Sequence, residues 1–190
     1  MRKGLAACRA VVVGLVFVFS VMVAETKAQP LDRVLSLRDL AGQLNTPDDI
    51  ARYLWKNFTF EEDQRQFGKE EYWQSPEEFL ETHKGDCEDF ALFAHALLQM
   101  QGIPSFLLNI YSGRVAHTVC VFRENGRYQV IDESRVKRYG AKNLDELMTR
   151  ILPFWQKGAI VTPLPGKKRA GILAEFVNGL KVRRRLEISS

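Results

Sequence analysis

Three residues near the middle of this 190-residue chain have the types and spacing for nucleophilic chemistry: Cys87, His117 and Asp132. Cys87 stands in Gly85-Asp86-Cys87-Glu88-Asp89-Phe90-Ala91. That reads as a glycine, an aspartate at a helix N-cap, and a cysteine at the first helical position. Phe90, Ala91, Ala94, Leu97 and Leu98 follow at helical spacing. A thiol placed there meets the unpaired N–H groups and the positive dipole end of the first turn, both of which favour thiolate. An imidazole can take its proton, and a carboxylate can orient that imidazole. The acids Asp86, Glu88 and Asp89 work the other way, because negative charge disfavours the thiolate. A protonated His117 or a bound cation would offset them, and carboxylates are hard oxygen ligands of the kind calcium takes. A simpler role is structural, with Asp86 capping the helix and Asp89 stabilising its first turn.

The elements around these residues follow from punctuation and period. Leu31 to Leu44 is compatible with a short amphipathic helix. Thr46-Pro47-Asp48-Asp49 is a helix start, with Ile50, Tyr53, Leu54 and Phe58 on one face. Glu61 to Glu71 is charged and aperiodic, a loop. Ser75-Pro76-Glu77-Glu78 opens a second helix with a capping box. The Cys87 helix ends at Gln101-Gly102, before Pro104. The period then becomes alternating, predicting strands over 105–111, 115–123 and 127–131, with Asn125-Gly126 as a two-residue hairpin turn. A helix from Asn143 to about Trp155 and a short strand with a final helix or tail complete the chain. Helices first and an antiparallel sheet second is an α+β arrangement, with the cysteine helix packed on the sheet.

The hairpin turn sets a register. Glu124 faces Arg127, Val119 faces Asp132, and His117 lies diagonal to Asp132 on the same sheet face, where an imidazole–carboxylate bond is within reach. Cys120 falls on the opposite face with Thr118 and Phe122. A Cys87 that meets His117 then cannot also pair with Cys120, unless a bulge shifts the register. His83 reads as solvated and His95 as a core-edge histidine.

The N-terminus carries Met-Arg-Lys and Arg9, then an apolar run from Ala10 to Ala24. That length suits a signal-peptide core and is short for a membrane span. Thr26-Lys27-Ala28 offers a cleavage site, so residues 1–28 read as a signal peptide, 29–165 as one domain, and 166–190 as a basic C-terminal tail. Without residues 1–28 the formal net charge falls from +4 to +1. The basic character therefore belongs largely to the targeting segment and gives no indication of nucleic acid. The expected location is periplasmic or secreted, with membrane contact through the tail or an uncleaved signal. Export leaves two cysteines, Cys87 and Cys120, for which a disulfide is the competing structural reading.

Tyr72-Trp73-Gln74-Ser75-Pro76-Glu77-Glu78-Phe79, Gly85 to Ala91, Ala116-His117-Thr118-Val119 and Val130-Ile131-Asp132 resemble the transglutaminase-like superfamily, closest to its bacterial cysteine peptidases. The resemblance covers about residues 47–135. It implies a papain/transglutaminase-like core and a Cys87-His117-Asp132 triad acting on a protein or peptide substrate. It also implies that calcium, where relatives use it, would be held at Asp86 and Glu88; no cofactor is otherwise required. Such a site would perform acyl transfer. The thiolate attacks a carbonyl, and His117 passes its proton to the leaving amine. The Cys87 backbone N–H would meet the oxyanion, with the Trp73 indole or Gln74 amide as second donor. Trp73 suits core packing equally. Two alternatives stay open: a non-catalytic protein-binding module docking through its basic tail, and an acyltransferase that cross-links proteins.

Overall fold

The Asn125-Gly126 turn holds both of its residues at positive φ, 52° and 74°, the geometry that an Asn-Gly pair tolerates. A computed structural model of the chain describes residues 35–164 and 168–177. The signal peptide expected over 1–28 lies outside them.

Among the described residues, four helices precede the helix that begins at Cys87. They are α1 (Leu37–Gln43), α2 (Pro47–Asn57), the one-turn α3 (Asp63–Gln66) and α4 (Pro76–Thr82). Thr46 caps α2 with Pro47 in its first turn, and Ser75 and Glu78 form the expected capping box on α4. Between them run the two-residue strands β1 (Thr59–Phe60) and β2 (Lys84–Gly85), paired in parallel. Helix α5 (Cys87–Met100) leads into β3 (Ser105–Ser112), β4 (Val115–Glu124), β5 (Arg127–Asp132) and β6 (Arg135–Ala141). Helix α6 (Leu144–Ile151), β7 (Lys157–Pro163) and β8 (Ala170–Val177) follow. The large sheet has the order β6-β5-β4-β3-β7-β8, and every neighbouring pair is antiparallel.

This is an α+β fold with helices on both faces of the sheet. On one face Leu107, Cys120, Phe122, Ile131, Ala159 and Val161 pack with Phe90, Phe93, Leu97 and Leu98 of α5. A ring cluster supports that layer: Phe79 lies 4.5 Å from Phe58 and 5.0 Å from Phe90 between centroids. On the other face Leu108, Ile110, Val119, Val121 and Val130 pack with Leu147 and Met148 of α6 and with Trp155. Among the described residues no helix is long and apolar enough to cross a membrane.

Several expectations are corrected. Strand β6 follows a Glu133-Ser134 turn that lacks an Asn-Gly signal, and it was not expected. The 61–71 loop contains α3. Helix α6 stops at Ile151, short of Trp155. Residues 170–177, expected in the tail, form β8 at one edge of the sheet, while Arg183-Arg184-Arg185 lie outside the described residues.

Candidate active site

Cys87 is the first residue of α5, and Gly85 before it admits no side chain. A Cβ there would stand 2.2 Å from Asp89 Oδ2 and 2.8 Å from Gln74 Nε2. The Gln74–Asp89 contact is therefore built against bare backbone. Gln74 gives its backbone N–H to Asp89 Oδ1 at 2.8 Å and its side-chain amide to Asp89 Oδ2 at 2.6 Å. The same amide reaches the Lys84 carbonyl at 2.7 Å, and its oxygen accepts from Thr82 at 2.8 Å. With both amide hydrogens engaged, Gln74 is a strut and not the oxyanion donor expected from sequence. Trp73 is likewise committed: it is buried, and its indole N–H goes to Glu71.

On the sheet, His117 Nε2 and Asp132 Oδ1 stand 2.8 Å apart, the diagonal pair that the hairpin register predicts. The β4–β5 ladder ends at Cys120 and Ile131, so this side-chain bond spans the point where the strands part. Asp132 Oδ2 accepts from Lys137 Nζ of β6 at 2.6 Å. Burial works against the charged form of Asp132, but the bonds from His117 and Lys137 outweigh it and hold the carboxyl below its ordinary range.

The register is as predicted, but the helix lies on the other face. Helix α5 packs on the side that carries Cys120, and Cys87 comes up to β4 at the Thr118 backbone N–H, one residue from His117. Both cysteines are free. Ser105 locates Cys120: its hydroxyl bonds His95 Nδ1 at 2.8 Å and also contacts the Cys120 thiol. Cys120 thus sits at the level of His95, eight helical residues from Cys87, about 12 Å along the axis and beyond disulfide reach. His95 is a core-edge histidine, as expected, its pKa lowered by burial. His83 caps α4 at φ 56° and reaches the Asn57 carbonyl at 3.0 Å.

The thiol does not hydrogen-bond the imidazole; it donates to Glu88 Oε2 at 3.2 Å. Burial pushes the Cys87 thiol up, Glu88 and Asp86 add to this, and the Thr118 amide pulls it back. Around it lies a pocket of acids. Burial and the adjoining Asp86 carboxylate push Glu88 up to about 10. Burial pushes Asp89 up to about 7 and Asp63 up to about 6. Asp86 occupies the N-cap position, yet its side chain accepts no bond from the helix amides, so the capping role expected for it is not realised. Asp89 turns back to Gln74, away from the first turn.

Asp63, in α3, is a member that sequence reasoning missed. It is 2% exposed and accepts from the Tyr72 backbone N–H through Oδ2. Asp63 Oδ1 and Asp86 Oδ1 are both buried without a hydrogen-bond partner among the described residues. Carboxylate oxygens of Asp63, Asp86 and Asp89 lie within 4.8 Å of one another, as do ligand atoms of Asp86, Cys87 and Glu88. Buried, unpartnered, hard oxygens in that density fit an oxygen-seeking divalent cation. Nothing in the 61–71 stretch marks Asp63 as the buried acid among its charged neighbours. Lys137 was hidden by the unrecognised β6.

Residues 36–144 match the family described as a transglutaminase-like domain, more than half of the chain. The chain belongs to the transglutaminase-like family. No curated protein sequence matches it. Among solved structures it is similar to calcium-bound LapG from Legionella pneumophila, at 19% identity over 80% of each chain with a TM-score of 0.48. The EGTA-treated form of LapG is similar at 18% identity over 76% of this chain and 92% of that one, TM-score 0.45. A TGase is similar at 15% identity over 58% of this chain and 34% of that one, TM-score 0.39.

Proposed function

We propose that this transglutaminase-like protein is a thiol hydrolase, a cysteine peptidase acting on a protein or peptide through an acyl-enzyme on Cys87. The observation that carries the reading is the 2.8 Å bond from His117 Nε2 to Asp132. It leaves Nδ1 as the imidazole nitrogen available to the thiol, which lies beside the next residue's amide. In the reaction His117 accepts the thiol proton, and the Cys87 sulfur bonds the substrate carbonyl carbon. His117 then returns the proton to the departing amine. Water then attacks the acyl carbon as His117 takes its proton, and His117 returns that proton to the Cys87 sulfur as the carbon–sulfur bond breaks and the acid leaves. Asp132 fixes the tautomer. The Cys87 backbone N–H, at the start of α5, is the oxyanion donor.

Asp86 would hold calcium, with Glu88 on one side or with Asp63 and Asp89 on the other. A divalent cation there would neutralise the carboxylates that keep the thiol protonated. Residues 1–28 would direct the chain out of the cytoplasm as a signal peptide, to the periplasm or beyond, where an uncleaved leader or the basic C-terminal residues would meet the membrane.

Iodoacetamide labelling of Cys87 across pH tests the chemistry. Labelling at neutral pH should exceed that of an ordinary thiol, fall at least tenfold in His117→Ala, and fall again with chelator. Ordinary behaviour indifferent to His117→Ala would refute catalysis and leave a protein-binding module. Labelling unchanged by chelator would refute the calcium role alone.

A further inference from the structure

Asp132 is bonded on both oxygens, and only the His117 side belongs to the triad reading. The second partner comes from β6, past Asp132, the last of the motif residues. Lys137 faces Val130 in the β5–β6 ladder, which puts it diagonal to Asp132 on the same sheet face. His117, Asp132 and Lys137 thus form a line across three adjacent strands, with separations of 2.8 and 2.6 Å. Neighbouring cations are otherwise placed. Arg138 is held by Asp48 and Glu124, and Arg135, the ladder partner of Asp132, makes no ion pair with it among the described residues.

We propose that Lys137 is a positioning residue of the site: its ammonium fixes the Asp132 carboxylate toward His117 and balances its charge, so that Asp132 orients the imidazole without retaining its proton. A lone buried carboxylate at 2.8 Å would bind an imidazolium tightly and hinder the return of its proton to a leaving group. Sharing the carboxylate with a fixed cation weakens that hold while keeping the geometry. The Lys137 side chain is 43% exposed, which leaves the effect moderate and screened by solvent. The charged and titratable groups facing this line are Asp132 from β5, Lys137 and Tyr139 from β6, and Glu133 in the turn between those strands. Cys87 with Asp86 and Glu88 stands at the start of α5.

The inference deepens the thiol-hydrolase reading, but its test does not depend on that reading. The full chain is titrated by NMR with chelator present, following the imidazole signal that disappears in His117→Ala. In Lys137→Met the His117 midpoint should rise by about 0.5 to 1 pH unit. In Lys137→Arg, which keeps charge and donors, it should stay within about 0.2 unit of the parent. Lys137→Gln supplies the same loss of charge should the Met variant not fold. A midpoint unmoved by Met and Gln, or moved as far by Arg, overturns the proposal. If the midpoint moves as expected while Cys87 labels as an ordinary thiol, the hydrolase reading fails and the role of Lys137 stands.

Discussion

A carboxylate that is 7% exposed and ionised must have its charge met nearby, and Asp132 meets it through His117 and Lys137. Because both bonds favour the charged form, its pKa in the fold lies below that of the unfolded chain. A depressed carboxyl contributes stability that is fully present above the unfolded value, about 3.9, and is lost as pH falls through the folded value. Asp132→Asn should therefore cost about 1–3 kcal/mol at pH 7. The difference from the parent should shrink steadily below about pH 4. Urea unfolding at the two pH values measures it; a cost independent of pH would mean that the charge of Asp132 contributes nothing. At this scale the helix start at Cys87 and the pairing of His117 with Asp132 could be read from sequence, because a helix-start motif and an Asn-Gly turn fix local geometry. Asp63 and the commitments of Gln74 and Trp73 could not, since burial and partner choice are decided by residues far along the chain.

At the scale of elements, the start of α5 is anchored backward, to the segment before α4, and not by its own cap. Gln74 holds both oxygens of Asp89, with Gly85 pressed against the pair. Gln74→Leu keeps the volume but leaves buried oxygens short of donors. It should cost about 2–4 kcal/mol by thermal or urea unfolding. An effect under about 0.5 kcal/mol would place the anchoring of α5 in its aromatic packing alone. The same contrast explains what was legible. Helices α2, α4 and α5 and strands β3 to β5 carry caps, apolar period or turn residues that act over a few positions. The face on which α5 packs was not legible, because alternation separates the two faces of a sheet without saying which one a helix covers. Strand β6, rich in exposed cations and opened by a turn without glycine, has no such local signature.

At the scale of the whole molecule, the acids clustered near the thiol arrive from two places: Asp63 from α3, and Asp86, Glu88 and Asp89 from the start of α5. The parallel pairing of β1 with β2 brings these segments together, with the Glu61 N–H on the Gly85 carbonyl at 2.8 Å. That pairing is only two residues long on each side. A cation shared by Asp63 and Asp86 would be a reversible cross-link closing the intervening stretch of chain, and closing such a loop restrains its openings. Arg65 and Lys69, both exposed, are tryptic sites within that stretch. Calcium at a hundredfold excess over its dissociation constant should suppress cleavage there in step with about 2.7 kcal/mol of added stability. Asp63→Asn should abolish the protection; equal cleavage with and without calcium would sever the two segments' proposed link. The acids beside Cys87 would then make the protein's resistance to digestion a readout of the ion concentration around it.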